Sequence, residues 1–198
     1  MRKGILSALA LCVGVVAYAQ RLHTVEGEES RVTEISSVIK VNNMQRSAIS
    51  DAFEKKRRRK QSLDNGMDAK ERAFRKYEID KTCHEEFVNQ LSDKQISEYC
   101  NTIFAPEVTA KTEYRMSLLV ELENEYTEAE LEKIRGDIYR YLMLEKIVYF
   151  RYKYDFAKQK AAISRLKSVQ PQSLKASMNI EKQKNYGKLF NGKINWKQ

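Results

Sequence analysis

The sequence predicts an all-α fold, with four to five helices in an antiparallel bundle and one long C-terminal helix as its spine. Only 2 prolines and 7 glycines occur in 198 residues, so few positions interrupt a helix. Apolar residues recur at spacings of three and four over long stretches, which is the period of one helix face. Charged residues make up 32% of the chain, enough to cover the opposite faces. A chain of this length can bury a sizeable core.

Residues 1–19 have the pattern of a secretory signal peptide. Arg2 and Lys3 form a positive start, residues 5–16 form a short apolar core, and residues 17–19 give the small-x-small motif Ala-Tyr-Ala. Such a segment is removed on export, and its apolar core is too short for a stable membrane span. We therefore expect an exported protein that begins at Gln20 and resides in the periplasm of a bacterial envelope, with secretion from the cell as the alternative.

The remaining chain divides into three parts. Residues 20–29 have several acids and no periodicity, and we expect a flexible leader. Residues 30–169 carry the helical pattern and form the predicted domain. Residues 170–198 are polar and basic after Gln170-Pro171, and we expect a partly disordered tail with room for one short docked helix.

Turn residues and N-cap residues delimit the first two predicted helices. The first helix runs from Ser30 to Lys60, and the turn residues 63–66, Leu-Asp-Asn-Gly, follow it. The second helix begins after Asp68, a favoured N-cap residue, and ends near Leu91. The predicted apolar face of the second helix consists of Ala73, Phe74, Tyr77, Cys83, Phe87 and Val88.

Two capping boxes mark the starts of later helices. Ser92-Asp93-Lys94-Gln95 starts a third helix, and Pro106 separates it from a fourth. Thr127-Glu128-Ala129-Glu130 starts the spine helix. It continues without proline to Val169, which corresponds to about 60 Å at the standard rise.

Cysteine usage predicts one disulfide. Cys12 lies in the signal peptide, so Cys83 and Cys100 remain in the exported chain. They are equally far from the junction of residues 91 and 92, and a helical hairpin at that junction would place them opposite each other. An even pair in an oxidising compartment favours a Cys83–Cys100 disulfide, with free thiols as the alternative. A metal site with His84 would lack the paired ligand spacing of zinc sites, and no C-x-x-C motif is present.

The predicted spine helix carries two apolar stripes on opposite sides. One stripe is a candidate interaction face for a protein partner or for a second copy of the chain. The alternative is a central helix packed on both sides, with its tyrosine hydroxyls reaching water. The candidate face consists of Tyr139, Met143, Ile147, Phe150 and Tyr154.

A run of six cations ends the first predicted helix, in a chain of net charge +9, or +7 once Arg2 and Lys3 are removed. A basic exported protein meets anionic lipids and polysaccharides, and the run is the candidate surface for them. The alternative is a solvated helix end that complements the helix dipole. Aromatic residues do not interleave with the run, so we expect no specific nucleic-acid binding. The run consists of Lys55, Lys56, Arg57, Arg58, Arg59 and Lys60.

The sequence has no recognisable catalytic motif. It contains no G-x-S-x-G, no H-E-x-x-H and no phosphate-binding glycine loop. Of its two histidines, His23 lies in the predicted leader and His84 lies beside Cys83. We therefore expect that the protein is not an enzyme and uses no cofactor or metal ion.

Residues 91–95, Leu-Ser-Asp-Lys-Gln, resemble the L-T-x-x-Q motif of the Spy/CpxP group of periplasmic proteins. Residues 126–130, Tyr-Thr-Glu-Ala-Glu, are similar but depart further from it. The resemblance implies a small helical dimer that acts as a chaperone or a stress sensor. The cysteine pair and the long aromatic helix depart from that group.

Three functional hypotheses follow. The first is an exported, non-enzymatic scaffold that uses its helix surfaces to bind another envelope protein. The second is a Spy/CpxP-like periplasmic chaperone or stress protein. The third is a basic binder of anionic envelope polymers.

Overall fold

The computed structural model describes residues 28–63, 66–120 and 126–194. Every regular element in this part of the chain is an α-helix, which confirms the all-α prediction for it. None of these helices is long and apolar enough to cross a membrane. The predicted signal peptide and residues 20–27 of the predicted leader lie outside the described residues.

Seven helices make up the described chain, where four to five were predicted. Two predicted helices, the first and the spine, are each divided in two. The two helices predicted on either side of Pro106 are one helix, and the predicted tail contains a further helix. The helices are α1 (Glu28–Val38), α2 (Asn43–Gln61), α3 (Ala69–Asn89), α4 (Asp93–Val120), α5 (Glu128–Arg151), α6 (Phe156–Ser168) and α7 (Gln172–Ile194).

Helix α4 passes through Pro106, so the helix boundary predicted there is wrong. Proline removes the backbone donor for the carbonyl of Thr102, four residues earlier. Thr102 and Pro106 are both exposed, so water can satisfy that carbonyl and the helix continues.

A capping box at Asn42, which was not predicted, divides the predicted first helix. Asn42 is the N-cap of α2, and its side-chain oxygen accepts a hydrogen bond from the Gln45 backbone N–H at 2.8 Å. The Asn42 N–H donates to the Gln45 side-chain oxygen at 3.1 Å. The box satisfies two backbone donors at the start of α2, so the chain leaves the helical path after Val38 and re-enters it at Asn43.

The single spine helix predicted from residue 128 to residue 169 is wrong, because the chain turns between α5 and α6. Nε2 of His84, on α3, lies 2.7 Å from the carbonyl oxygen of Phe150. A side chain remote in sequence therefore donates a hydrogen bond to one of the last carbonyls of α5, which have no partner within the helix. Asp155, a residue type favoured at N-caps, directly precedes α6.

The described chain divides into two compact units, of which the first comprises its residues up to Ile103 together with Phe150–Phe156. In this unit α1 packs on α2, and α2 packs on α3. The α2–α3 pair is antiparallel, because Phe53 meets Phe87 at a ring-centroid distance of 5.9 Å while Lys60 meets Asp80 nearer the connection. The buried apolar residues of this unit are Val32, Ile35, Ile39, Ile49, Ala52, Cys83, Phe87, Val88, Leu91, Ile96 and Cys100.

The second unit comprises the described residues of Phe104–Tyr149 and Ala157–Gln198. Helix α7 belongs to it and begins inside the segment for which a partly disordered tail was predicted. Ser177 of α7 is buried, and its hydroxyl donates to the Leu174 carbonyl at 2.8 Å. The core of this unit consists of Met116, Leu118, Leu119, Ile138, Tyr141, Leu174 and Ile180.

Candidate functional site

Two capping boxes meet in the first unit. The predicted box is confirmed, because the Ser92 N–H donates to Gln95 Oε1 at 2.9 Å and the Gln95 N–H donates to Ser92 Oγ at 3.2 Å. Gln95 then faces Gln45 of the Asn42 box. Each side-chain amide donates to the oxygen of the other, at 3.0 Å from Gln45 and 3.1 Å from Gln95.

The second amide proton of each glutamine reaches the opposite connection between helices. Gln45 Nε2 donates to the Gln90 carbonyl at 2.6 Å, and Gln95 Nε2 donates to the Lys40 carbonyl at 2.7 Å. Each glutamine oxygen also accepts from its own N-cap N–H, so both donors and both acceptor positions of each amide are used. We call this network the glutamine junction. It ties the segments after α1 and α3 to the starts of α2 and α4.

The glutamine junction contains an internal repeat with an offset of 50 residues. The residue pattern predicts the box at Ser92, whereas it places Asn42 and Gln45 in the interior of a helix. Matching residue types at this offset were the signal that could have revealed it. The corresponding residues are Val38 and Val88, Lys40 and Gln90, Val41 and Leu91, Asn42 and Ser92, and Gln45 and Gln95.

The predicted Cys83–Cys100 disulfide is absent, and both cysteines are free, buried thiols. The axes of packed helices stand about 8–10 Å apart, so only Cα atoms that face each other directly across the contact come within the roughly 7 Å that a disulfide needs. Phe87 of α3 and Tyr99 of α4 meet with ring centroids 5.8 Å apart, so large aromatic side chains separate the two helices. The predicted hairpin did not allow for these rings.

Burial keeps both thiols protonated. It raises the pKa of Cys83 despite the opposing charge of Lys56, and it raises the pKa of Cys100 to about 12. A cysteine reacts as its thiolate, so neither residue is a nucleophile near neutral pH. Within the described ranges, no group of His, Cys, Asp and Glu side chains is placed to hold a metal ion.

The side chain of His84, on α3, packs against residues at the C-terminal end of α5 and just beyond it. Its ring lies edge-on to Phe150 and Tyr154, at centroid distances of 5.3 and 5.5 Å, and its Nε2 donates to the Phe150 carbonyl. Burial lowers the pKa of His84, and the bond to the carbonyl offsets this only in part. The imidazole is therefore uncharged in neutral solution.

We expect acid to destabilise the protein in a pH window set by His84. Its folded pKa lies below the ordinary value of 6.5, so the unfolded chain takes up the proton first as the pH falls. The free energy of unfolding, measured with urea, should be level above about pH 7 and should decline below about pH 6.5. His84→Gln keeps an amide donor for the Phe150 carbonyl and should abolish the decline between about pH 6.5 and about pH 5. Below that range, carboxylates such as Asp80, whose pKa is lowered in the fold, add a decline of their own. An equal decline in this variant would assign the effect to other groups.

The lysines of the six-residue basic run pair with α3. Lys56 and Lys60 each contact Asp80 with N–O distances of 2.8 Å, and Lys55 lies 4.0 Å from Glu86. Burial raises the pKa of Asp80, but the hydrogen bonds and charges of the two lysines outweigh it and hold that pKa below its ordinary value. These lysines therefore help to hold α2 on α3.

The arginines of the run lie toward solvent. Arg57 and Arg58 contact Glu54 of their own helix at 2.7 and 2.6 Å. Arg59 is exposed and has no ion pair among the residues that the structure describes. The three lysines of the run thus contribute to the packing of the α2–α3 hairpin. Binding of an anionic polymer by the run stays a prediction.

The candidate interaction face does not form one exposed stripe. Tyr139, Met143 and Ile147 belong to the second unit, whereas Phe150 and Tyr154 belong to the first. Met143 is buried and the other four are half-buried. Phe150 and Tyr154 are occupied by ring contacts within the first unit. Binding of a protein partner or a second copy of the chain by this face stays a prediction.

Two aromatic residues of the predicted apolar face of the second helix are exposed on α3. Phe74 is 60% exposed and Tyr77 is 48% exposed. Lys70 and Lys81 lie on the same face, because positions 70, 74, 77 and 81 follow the helix period. We call Lys70, Phe74, Tyr77 and Lys81 the α3 stripe. Its apolar period was visible in the sequence, but its exposure was not.

The chain was compared with known families, proteins and structures. No protein-family model, no curated protein and no solved structure matches this chain. The features that bear on function are those of the chain itself: the glutamine junction, the α3 stripe and helix α6.

Proposed function

We propose that this is an exported, non-enzymatic helical protein that binds another protein of the cell envelope. The observation that carries the proposal is helix α6, which has apolar side chains but none that is buried. Ile163 and Leu166 are half-buried, and Val169, directly after the helix, is 69% exposed. An amphipathic helix whose apolar side is partly uncovered is a common element for binding a partner helix.

The chemistry of the described residues supports a binding role. Cys83 and Cys100 are buried and protonated, and His84 is held by a backbone carbonyl. Cysteine and histidine are among the residue types most often used in nucleophilic and acid–base catalysis. Here all three side chains pack within the first unit.

Site-specific photo-crosslinking in intact cells tests the proposal. A photoreactive phenylalanine analogue replaces Val169, and in a matched control it replaces Ser164, which is exposed on the opposite side of α6. The analogue at position 169 should yield one adduct of defined mass, which mass spectrometry identifies, and the analogue at position 164 should yield none. The same adducts at both positions, or no adduct at position 169, would contradict the proposal. An adduct of twice the protein mass would make the partner a second copy of the chain.

A Spy/CpxP-like chaperone is the second candidate. The box at residues 91–95, on which the resemblance rests, pairs with a second box of the same spacing at residues 41–45. A chaperone would give many adducts at position 169, and the purified protein would suppress aggregation of an unrelated unfolded client without nucleotide. One adduct and no suppression would favour the first candidate.

A further inference from the structure

We propose that the α3 stripe binds the surface of an anionic phospholipid bilayer. This role uses a different surface from protein binding through α6, so either proposal can fail while the other holds. Three features carry it: the charge of the α2–α3 hairpin, the aromatic residues between two unpaired lysines, and the exposure of this part of α3.

The connection end of the α2–α3 hairpin is strongly basic. Residues 55–81 contain eleven lysines and arginines and five acids, a net charge of +6 within a chain of +9. Glu71, the acid next to Lys70, lies 3.7 Å from Arg75. Lys70 and Lys81 have no ion pair within the described part of the chain, so their charges remain available to an anionic ligand.

Phe74 and Tyr77 stand between the two lysines on one helix face, and about half or more of each side chain is in solvent. Alternating aromatic and basic residues suit the interface of a bilayer. Aromatic rings lie at the boundary of headgroups and acyl chains, and lysine stems extend to the headgroup phosphates. Lysines close to a membrane surface are attracted by the negative potential of anionic lipids.

The exposure of this part of α3 leaves it accessible to a lipid surface. Residues 69–77 are exposed at every position except Arg72, so this part of the helix presents a convex surface on nearly all sides. An exposed helix segment with basic and aromatic residues on one face can lie on a layer of anionic headgroups, with its rings at the headgroup boundary. An acidic polypeptide is the competing occupant.

Vesicle sedimentation tests the assignment. The protein is purified after export, with all variants processed alike, and is mixed with vesicles of phosphatidylglycerol and phosphatidylcholine or of phosphatidylcholine alone. The wild type should bind only the anionic vesicles, and less as salt rises. Lys70→Gln/Lys81→Gln should weaken this binding at least tenfold, because each lysine near an anionic surface contributes about fivefold. Phe74→Ser should weaken it also at high salt, where the charge attraction is screened.

The matched control is Lys133→Gln/Lys182→Gln, which removes the same charge from two exposed lysines of the second unit and should bind like the wild type. Equal weakening in both double variants would show a general effect of net charge and overturn the proposal. Absence of binding to the anionic vesicles would also overturn it. Binding of soluble polyglutamate that is lost in Phe74→Ser, without binding of vesicles, would assign the stripe to an acidic protein instead. Lys70→Gln alone, at an exposed position, provides a second measure if the double variant misfolds.

Discussion

Replacing Ile138 by alanine is expected to lower the free energy of unfolding by about 4 kcal/mol. Ile138 is 0% exposed and belongs to the core of the second unit, together with Leu119 and Leu174. Alanine would lack the γ and δ carbons of isoleucine. The closely packed helices around it can refill only part of the space, so the lost contacts and the cavity both reduce stability.

Urea denaturation followed by circular dichroism measures this loss. Leu144→Ala is the matched control, since it removes the same number of carbons from the same helix at a residue that is 47% exposed. It should cost about 1 kcal/mol or less. Equal losses for Ile138→Ala and Leu144→Ala would contradict the packing of α5 described above.

Replacing Gln95 by alanine is expected to cost about 3 kcal/mol, although this side chain is polar and only half-buried. The variant would lack the bond from the Ser92 N–H, the bonds shared with Gln45 and the bond to the Lys40 carbonyl. Each such bond contributes about 0.5–1.5 kcal/mol net, so the summed loss exceeds that of an ordinary cap.

Glu130→Ala is the matched control for the glutamine junction. Glu130 closes the predicted box with Thr127: the Thr127 N–H donates to the Glu130 carboxylate at 2.8 Å, and the Glu130 N–H donates to Thr127 Oγ1 at 3.3 Å. No second box faces it within the described residues. Its loss should cost about 1 kcal/mol. A double variant of Gln45→Ala and Gln95→Ala should lose less than the sum of the single variants, because the two residues share bonds. Strict additivity would show that the two boxes act independently.

Helix starts were largely predictable from the sequence. Asp68 accepts from the Lys70 N–H at 2.7 Å, and the boxes at Ser92 and Thr127 form as expected. Caps are predictable because they depend on residues within four positions along the chain. The box at Asn42 was missed because the apolar period on either side of it reads as one continuous helix.

The extent of the core was not predictable from periodicity. Cys83 and Phe87 are buried as expected, but Phe74 and Tyr77 on the same helix are exposed. Periodicity identifies which side of a helix is apolar. How much of that apolar side is buried depends on where the neighbouring elements end. On α3 they leave Phe74 and Tyr77 uncovered, and the α3 stripe is this uncovered part.

The all-α class, the positive charge and most helix starts were determined by the sequence alone, because composition and residues close along the chain decide them. The tertiary structure decided the turn between α5 and α6, the free state of Cys83 and Cys100, and the pairing of Gln45 with Gln95. Each of these depends on a side chain from a distant part of the chain: His84 at the Phe150 carbonyl, Phe87 against Tyr99, and one capping box against another. Contacts of this kind follow from how helices pack in space, which no local pattern of residues specifies.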